Sequence, residues 1–157
     1  MASLANQPKN MNPLADVQFK FDIAALPETS FFVQTASLPG ISLSPMEIGL
    51  PQLQGFARST GTISYEELSI AFLVDEYLKN WMEIYNWIIG NPSYTSGVLT
   101  ILSSSMNPTM EAHFKQLFPT SLSELAFDST TADPTYHQAT VALKYTEYTI
   151  KSLLNDL

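Results

Sequence analysis

Alternating hydrophobic and polar residues predict a chain built mostly from antiparallel strands. The residues from Val17 to Ile23 alternate with period two, which is typical of a half-buried strand. Further strands are predicted over residues 31–37, 62–74, 98–102, 110–118, 121–128 and 136–150. The hydrophobic phase of the last strand changes near Glu147, which predicts a β-bulge there. The pattern therefore indicates about seven or eight strands.

One amphipathic helix is predicted from about residue 76 to residue 89. Asp75 is placed as its N-cap, Gly90 follows its last turn, and Pro92 prevents its continuation. A hydrophobic stripe at helical spacing predicts a face that covers the sheet or one end of a barrel: Tyr77, Trp81, Ile84, Tyr85 and Ile88. Lys79, Asn80, Glu83 and Asn86 are expected to face away. The fold class is α+β, a mostly antiparallel β-barrel or sandwich with one helix.

The segment 38–61 is rich in hydrophobic residues but is interrupted by prolines and glycines. Proline removes a backbone donor and glycine adds conformational freedom, so a regular strand ladder is not expected here. We predict an extended arm that must lie against its own domain or another subunit. Six residues of this arm are the candidates for that contact, which is a subunit interface if the arm lies against another subunit: Leu43, Met46, Ile48, Leu50, Leu53 and Phe56.

Composition narrows the function classes. The 157 residues are expected to form one domain, in which residues 1–15 are a flexible lead-in and residues 38–61 are the arm. Charged residues make up only 14% of the chain, and a weakly charged surface is easily desolvated in contact with a partner. The net charge of −8 and the scattered basic residues argue against a protein that grips DNA. No apolar run is long enough for a membrane span, so a soluble protein made in the cytosol is expected.

No pattern of residues in the chain indicates catalysis. The chain has no cysteine, and its two histidines, His113 and His137, lack metal-ligand or nucleophile spacing. Adjacent residues on a strand point to opposite faces, so Glu66 and Glu67 cannot converge on a substrate. Trp87, together with Trp81 and nearby tyrosines, leaves open a sugar-stacking surface on a monomeric carbohydrate-binding module. We therefore expect no enzyme, no cofactor and no metal site.

Several strings in a fixed order resemble the tail-tube proteins of contractile-tailed bacteriophages. The resemblance spans roughly residues 17–150. It is carried by Gly61-Thr62, Tyr65-Glu66-Glu67-Leu68, Val74-Asp75-Glu76, the helix with Trp81 and Trp87, Leu117-Phe118-Pro119-Thr120, Glu124-Leu125, and Ala139-Thr140-Val141-Ala142-Leu143-Lys144-Tyr145.

The resemblance implies a structural virion protein of the phage tail, made in the host cytoplasm. Its copies would form hexameric rings that stack into a tube, with the subunit sheets joined around the lumen. DNA would pass through the tube during ejection, and sheath, baseplate or neck components would be its other partners. The same fold occurs in the type VI secretion tube and in tube initiators, terminators and baseplate or neck adaptors, which remain alternatives.

Overall fold

Antiparallel strands make up most of the secondary structure in the computed structural model. It describes residues 14, 18–27, 29, 32–50, 53–90, 93–130, 133 and 135–154, with the backbone alone for 47–50 and 53–60. The described residues form these strands and this helix: β1 (Phe19–Ile23), β2 (Val33–Ala36), β3 (Ile41–Leu50), β4 (Leu53–Tyr65), β5 (Leu68–Leu73), α1 (Lys79–Ile89), β6 (Thr95–Leu102), β7 (Pro108–Leu122), β8 (Gln138–Lys144) and β9 (Glu147–Ser152). The predicted fold class, mostly antiparallel β with an amphipathic helix, is confirmed.

Strand β7 is shared between the two halves of the main sheet. The strand order is β1-β6-β7-β8-β5-β2, and β9 also pairs with β7. Strands β8 and β9 follow one edge of β7 in a single register, from Phe118↔Lys144 to Met110↔Ser152. They are separated at Tyr145 and Thr146, opposite Gln116, whose φ of 54° bends β7. The predicted bulge near Glu147 is therefore wrong, because the change of phase comes from this break in the strand.

The hydrophobic core lies between the main sheet and one face of α1. The three largest completely buried side chains are Phe21, Phe72 and Phe114. Ile84 of α1 is buried with them, while Trp81 and Trp87 pack at the rim of the core. The strands thus place alternate residues inward, as their period of two requires.

The helix begins three residues later than the sequence predicts. Its N-cap residue is Leu78, in a left-handed conformation with φ of 56° and no side-chain cap. Asn80, expected to face solvent, is buried: its amide donates to the Leu73 carbonyl at 2.7 Å, and its Oδ1 accepts from the Asp75 N–H at 3.1 Å and the Trp81 N–H at 2.9 Å. The Asn80 side chain thus holds the chain between β5 and α1, and Asp75 is not the N-cap.

Three strand predictions need correction. The predicted strand 62–74 is two strands, because Glu66 and Glu67 lie between β4 and β5. Pro119 does not end its strand, since β7 runs on to Leu122 and its register with β8 shifts between Pro119 and Ser121. Such an irregularity tolerates a residue that cannot donate a hydrogen bond. Residues 123–128 then lie outside any strand.

The segment 38–61 contains most of a regular β-hairpin. Strands β3 and β4 pair from Ile41↔Tyr65 to Leu50↔Leu53. The prediction that proline and glycine prevent a ladder here was wrong, because two register shifts absorb them. One shift lies between Ser44 and Met46, on either side of Pro45, and the other lies between Ile48 and Leu50. The predicted lead-in 1–15 lies, apart from Leu14, outside the described residues.

Candidate functional site

The β3–β4 hairpin has one apolar face and one hydroxyl-bearing face near its base. Residues directly opposite each other in an antiparallel pair share a face, and successive residues alternate. Ile41 therefore lies beside Tyr65, and Leu43 beside Ile63. All four are exposed, with 57%, 37%, 47% and 55% of their surface open respectively. The other face carries hydroxyls, such as the Ser42 and Ser64 Oγ atoms, which lie 2.6 Å apart.

The hairpin projects from the body of the protein. Its two strands pack chiefly on each other and make few contacts with the remaining elements. Its base is anchored by hydrogen bonds. The Glu66 N–H donates to the Gly40 carbonyl at 3.1 Å, and the Tyr145 hydroxyl donates to the Glu66 carbonyl at 2.8 Å. The Tyr148 hydroxyl donates to the Pro39 carbonyl at 3.0 Å. The arm is thus fixed to the body at its base.

An aromatic cluster supports these anchoring bonds. The Tyr65 ring lies 5.9 Å from that of Tyr145 and 5.8 Å from that of Tyr148, measured between centroids. Buried Phe114 contacts both of the latter rings, at 5.0 and 5.4 Å. Burial raises the pKa of Tyr145 to about 12, and Tyr148, Tyr65 and Glu66 add to the rise. The hairpin base is therefore continuous with the core.

Gly61 brings the two hairpin strands unusually close together. A Cβ atom on this residue would lie 1.6 Å from the Ser44 carbonyl oxygen. Any other residue at this position must therefore displace the backbone beside the register shift of β3.

The structure places all six predicted interface residues in the hairpin. Leu43 and Met46 are exposed, in agreement with an available surface. Backbone pairing joins Ile48 to Phe56 and Leu50 to Leu53 in the distal part, where the side chains lie outside the described residues. The sequence pattern does not predict the apolar face at the base, which Ile41, Ile63 and Tyr65 form with Leu43. Only the cross-strand register reveals that face, although the alternation in 62–65 was a signal.

A groove of about 560 Å³ lies at the other end of β5 from the hairpin. Leu73, Leu78, Leu125, Phe127 and Tyr136 are among its apolar lining, and Asp75, Glu76 and His137 are its titratable members. His137 is half-buried, and its ring lies 4.8 Å from that of Phe127.

The remaining candidate residues have structural partners. His113 contacts the Glu111 carboxylate at 2.9 Å, and the Lys144 ammonium lies 3.3 Å from the Glu67 carboxylate. The Trp87 indole N–H donates to the Ser93 carbonyl at 2.9 Å. Within the described ranges no group of three or more acidic or histidine side chains could hold a metal ion. Nor does any helix in that part of the chain combine the length and apolarity needed to cross a membrane.

Comparison with known proteins relates this geometry to contractile tails. No protein-family model matches the chain. The tail tube terminator protein of Enterobacteria phage T4 is 27% identical over 138 residues, which cover 75% of this chain and 76% of that protein. The tube-terminating cap of the anti-feeding prophage superposes with a TM-score of 0.75 at 18% identity, over 97% of this chain and 99% of the cap. This chain is thus similar in sequence to a phage tail tube terminator and shares the fold of a tube-terminating cap.

The tube fold extends to other particles. The sheath/tube terminator of the PVC extracellular contractile injection system has a TM-score of 0.72 at 16% identity, over 89% of this chain and 97% of that one. Hcp1 from Flavobacterium johnsoniae has a TM-score of 0.55 at 12% identity, over 85% and 94%. Three of these four relatives are named as terminators or terminating caps of a tube. The prediction of a structural tail protein that is not an enzyme agrees with these likenesses.

Proposed function

We propose that the protein forms a ring that terminates the tail tube. The projecting hairpin with its exposed apolar face carries this proposal, because such a surface is stabilised when a neighbouring subunit covers it. The likeness to a phage tail tube terminator in sequence, and to two terminators in fold, supports the position at the tube end. The ring is expected to be hexameric, as the resemblance to tail-tube proteins implies.

In this proposal residues 1–157 act as a single tail-tube-like domain and the hairpin is its interface arm. The six predicted residues, Leu43, Met46, Ile48, Leu50, Leu53 and Phe56, contact a neighbouring copy. The exposed residues Ile41, Ile63 and Tyr65 extend the same interface toward the body. Contacts of this kind between different patches of identical subunits close into rings.

The second candidate is a tube-body subunit whose rings stack without limit. It is favoured by the fold likeness to the PVC sheath-tube complex, with a TM-score of 0.68 at 15% identity. A baseplate adaptor is a third candidate, since the anti-feeding prophage baseplate has a TM-score of 0.69 at 12% identity. A terminator is preferred because the sequence relative carries that function in its own tail.

We also propose that DNA passes through the ring without being retained by it. Three lysines are already paired with carboxylates: Lys20 with Asp22 at 2.9 Å, Lys115 with Glu147 at 2.6 Å, and Lys144 with Glu67. Together with the net charge of −8, this pairing reduces the positive charge that could retain phosphates. DNA would thus move through without sticking, and the tube, sheath, baseplate or neck proteins would be the lasting partners.

Deletion of residues 44–56 tests the role of the hairpin. We expect the body to remain folded, with most of its far-UV circular dichroism, while rings disappear in negative-stain images. A matched control replaces Ser42 and Ser64 with alanine, which keeps the hairpin and its apolar face. If the deleted protein unfolds, the arm belongs to the core of its own subunit. If it still forms rings, the hairpin is not the interface.

A further inference from the structure

The groove beyond β5 has walls suited to apolar side chains. Leu73, Leu78 and Leu125 line it, and the Phe127 and Tyr136 rings stand at its edge with 73% and 91% of their surface open. Its volume of about 560 Å³ lies within the range of about 300–1,000 Å³ typical of sites that bind ligands. Aromatic side chains this exposed commonly become buried when a partner binds.

Two carboxylates at the groove carry negative charge that the described residues do not neutralise. Asp75 does not cap α1, because Leu78 is the N-cap residue and the Asn80 amide holds the backbone before the helix. Neither Asp75 nor Glu76 forms a salt bridge within the described part of the chain. An occupant that combines apolar side chains with one basic group would therefore match both the apolar lining and the negative charge of the groove.

The distal part of the β3–β4 hairpin has this combination. Between residues 46 and 58 it carries the apolar residues of the predicted interface, and Arg58 lies in β4 opposite Met46. Arg58 is the one arginine in the sequence. We propose that the groove of one copy receives the distal hairpin of a neighbouring copy, with Arg58 near Asp75 and Glu76. This inference rests on the proposed ring and names the surface that each hairpin contacts.

The position of the two features suits a head-to-tail contact. The hairpin leaves the body just before Leu68, at the start of β5, whereas Leu73, at the end of β5, lines the groove. Six residues of strand separate the ends by roughly 17–20 Å. Each copy thus presents a projection at one end of β5 and a receptacle at the other. A contact of this heterologous type, repeated by rotation, closes a ring.

Disulfide trapping between copies tests the proposal in the full chain. The protein has no cysteine, so single substitutions introduce unique thiols. Glu76→Cys protein is mixed with an equal amount of Arg58→Cys protein under mild oxidation, and covalent heterodimers are measured on non-reducing gels. The matched control replaces Arg58→Cys with Lys20→Cys, at an exposed lysine of β1. We expect several-fold more heterodimer with Arg58→Cys than with Lys20→Cys.

A charge substitution provides a second readout that needs no thiol. Glu76→Gln is expected to raise the concentration at which rings form about two- to five-fold, as loss of an exposed ion pair would. Glu124→Gln, an exposed acid outside the groove, is expected to leave it unchanged. The groove contact is overturned if rings form while Arg58→Cys gives no more heterodimer than Lys20→Cys and Glu76→Gln leaves the ring-forming concentration unchanged. The proposed ring would still stand in that case. Absence of rings at every concentration overturns both proposals.

Discussion

The Tyr145 hydroxyl donates a 2.8 Å hydrogen bond to the backbone carbonyl of Glu66. These residues are 79 positions apart in the sequence, and the bond ties the break between β8 and β9 to the base of the hairpin. Because Tyr145 also contacts buried Phe114, the position of the arm is linked to the packing of the core. A rigid base lets an arm bind a neighbour without first being ordered, which lowers the entropic cost of assembly.

Removing this hydroxyl should measurably destabilise the protein. Tyr145→Phe deletes the donor to the Glu66 carbonyl, and one such hydrogen bond contributes about 0.5–1.5 kcal/mol to the free energy of unfolding. Urea unfolding followed by circular dichroism measures the difference. Tyr136→Phe, at a tyrosine with 91% of its surface open, is the matched control and should leave the free energy unchanged. Equal stability of the two variants would contradict an anchoring role.

The raised pKa of Tyr145 predicts that the protein loses stability in strong base. In the folded protein the pKa of Tyr145 is raised to about 12, whereas an unfolded tyrosine has a pKa near 10. The folded state therefore retains a proton that the unfolded state loses, and stability falls as pH rises from about 10 through about 12. Wild type should lose more stability than Tyr145→Phe over this window. The raised pKa would be contradicted if the difference in unfolding free energy between wild type and Tyr145→Phe stayed constant from pH 9 to 12.

Local sequence patterns could predict most of the strands and the helix, but neither the β3–β4 hairpin nor the surfaces that these elements create. Period-two alternation locates β1 and β7, and helical spacing locates α1, because these patterns depend on neighbours along the chain. The apolar hairpin face depends instead on the register Leu43↔Ile63. The groove collects residues from four separated stretches, near 32, 73–78, 125–127 and 135–137. Only tertiary structure brings such residues together.

A charge on the apolar hairpin face should prevent assembly without unfolding the body. Leu43→Glu places a carboxylate beside Ile63, on a face proposed to be desolvated by a neighbour. Because Leu43 is about half exposed in the free chain, stability should change by less than about 0.5 kcal/mol. Sedimentation velocity should show loss of the ring. Ser42→Glu, on the opposite face, is the control, and equal effects of both changes would argue against a one-sided interface.

Gly61→Ala should disrupt the hairpin locally. Its Cβ would collide with the Ser44 carbonyl oxygen, so the two strands must separate at that point. We expect rings to weaken while the thermal unfolding of the body is little altered. Thr62→Ala, at the next and equally exposed position, should leave assembly intact. Normal rings with Gly61→Ala would show that the close approach of the strands is unimportant.

Asn80 should contribute to stability in a way that its neighbour Asn86 does not. Asn80→Ala leaves the Asp75 N–H and the Leu73 carbonyl without their partner, and each unsatisfied buried group costs about 1–3 kcal/mol. Asn86, exposed on the same helix, should tolerate alanine or gain up to about 0.7 kcal/mol from its helix propensity. Chemical denaturation measures the free energy of unfolding of both variants. A smaller loss of stability for Asn80→Ala than for Asn86→Ala would refute the structural role of the Asn80 side chain.

Negative-stain imaging of the purified protein over a range of concentrations tests the central claim most directly. A terminator is expected to form single six-fold rings that stop growing as concentration rises. Tubes that lengthen with concentration would instead identify a tube-body subunit. A monomer at every concentration, with no binding to the ends of tail tubes, would contradict a role in the tail tube assembly.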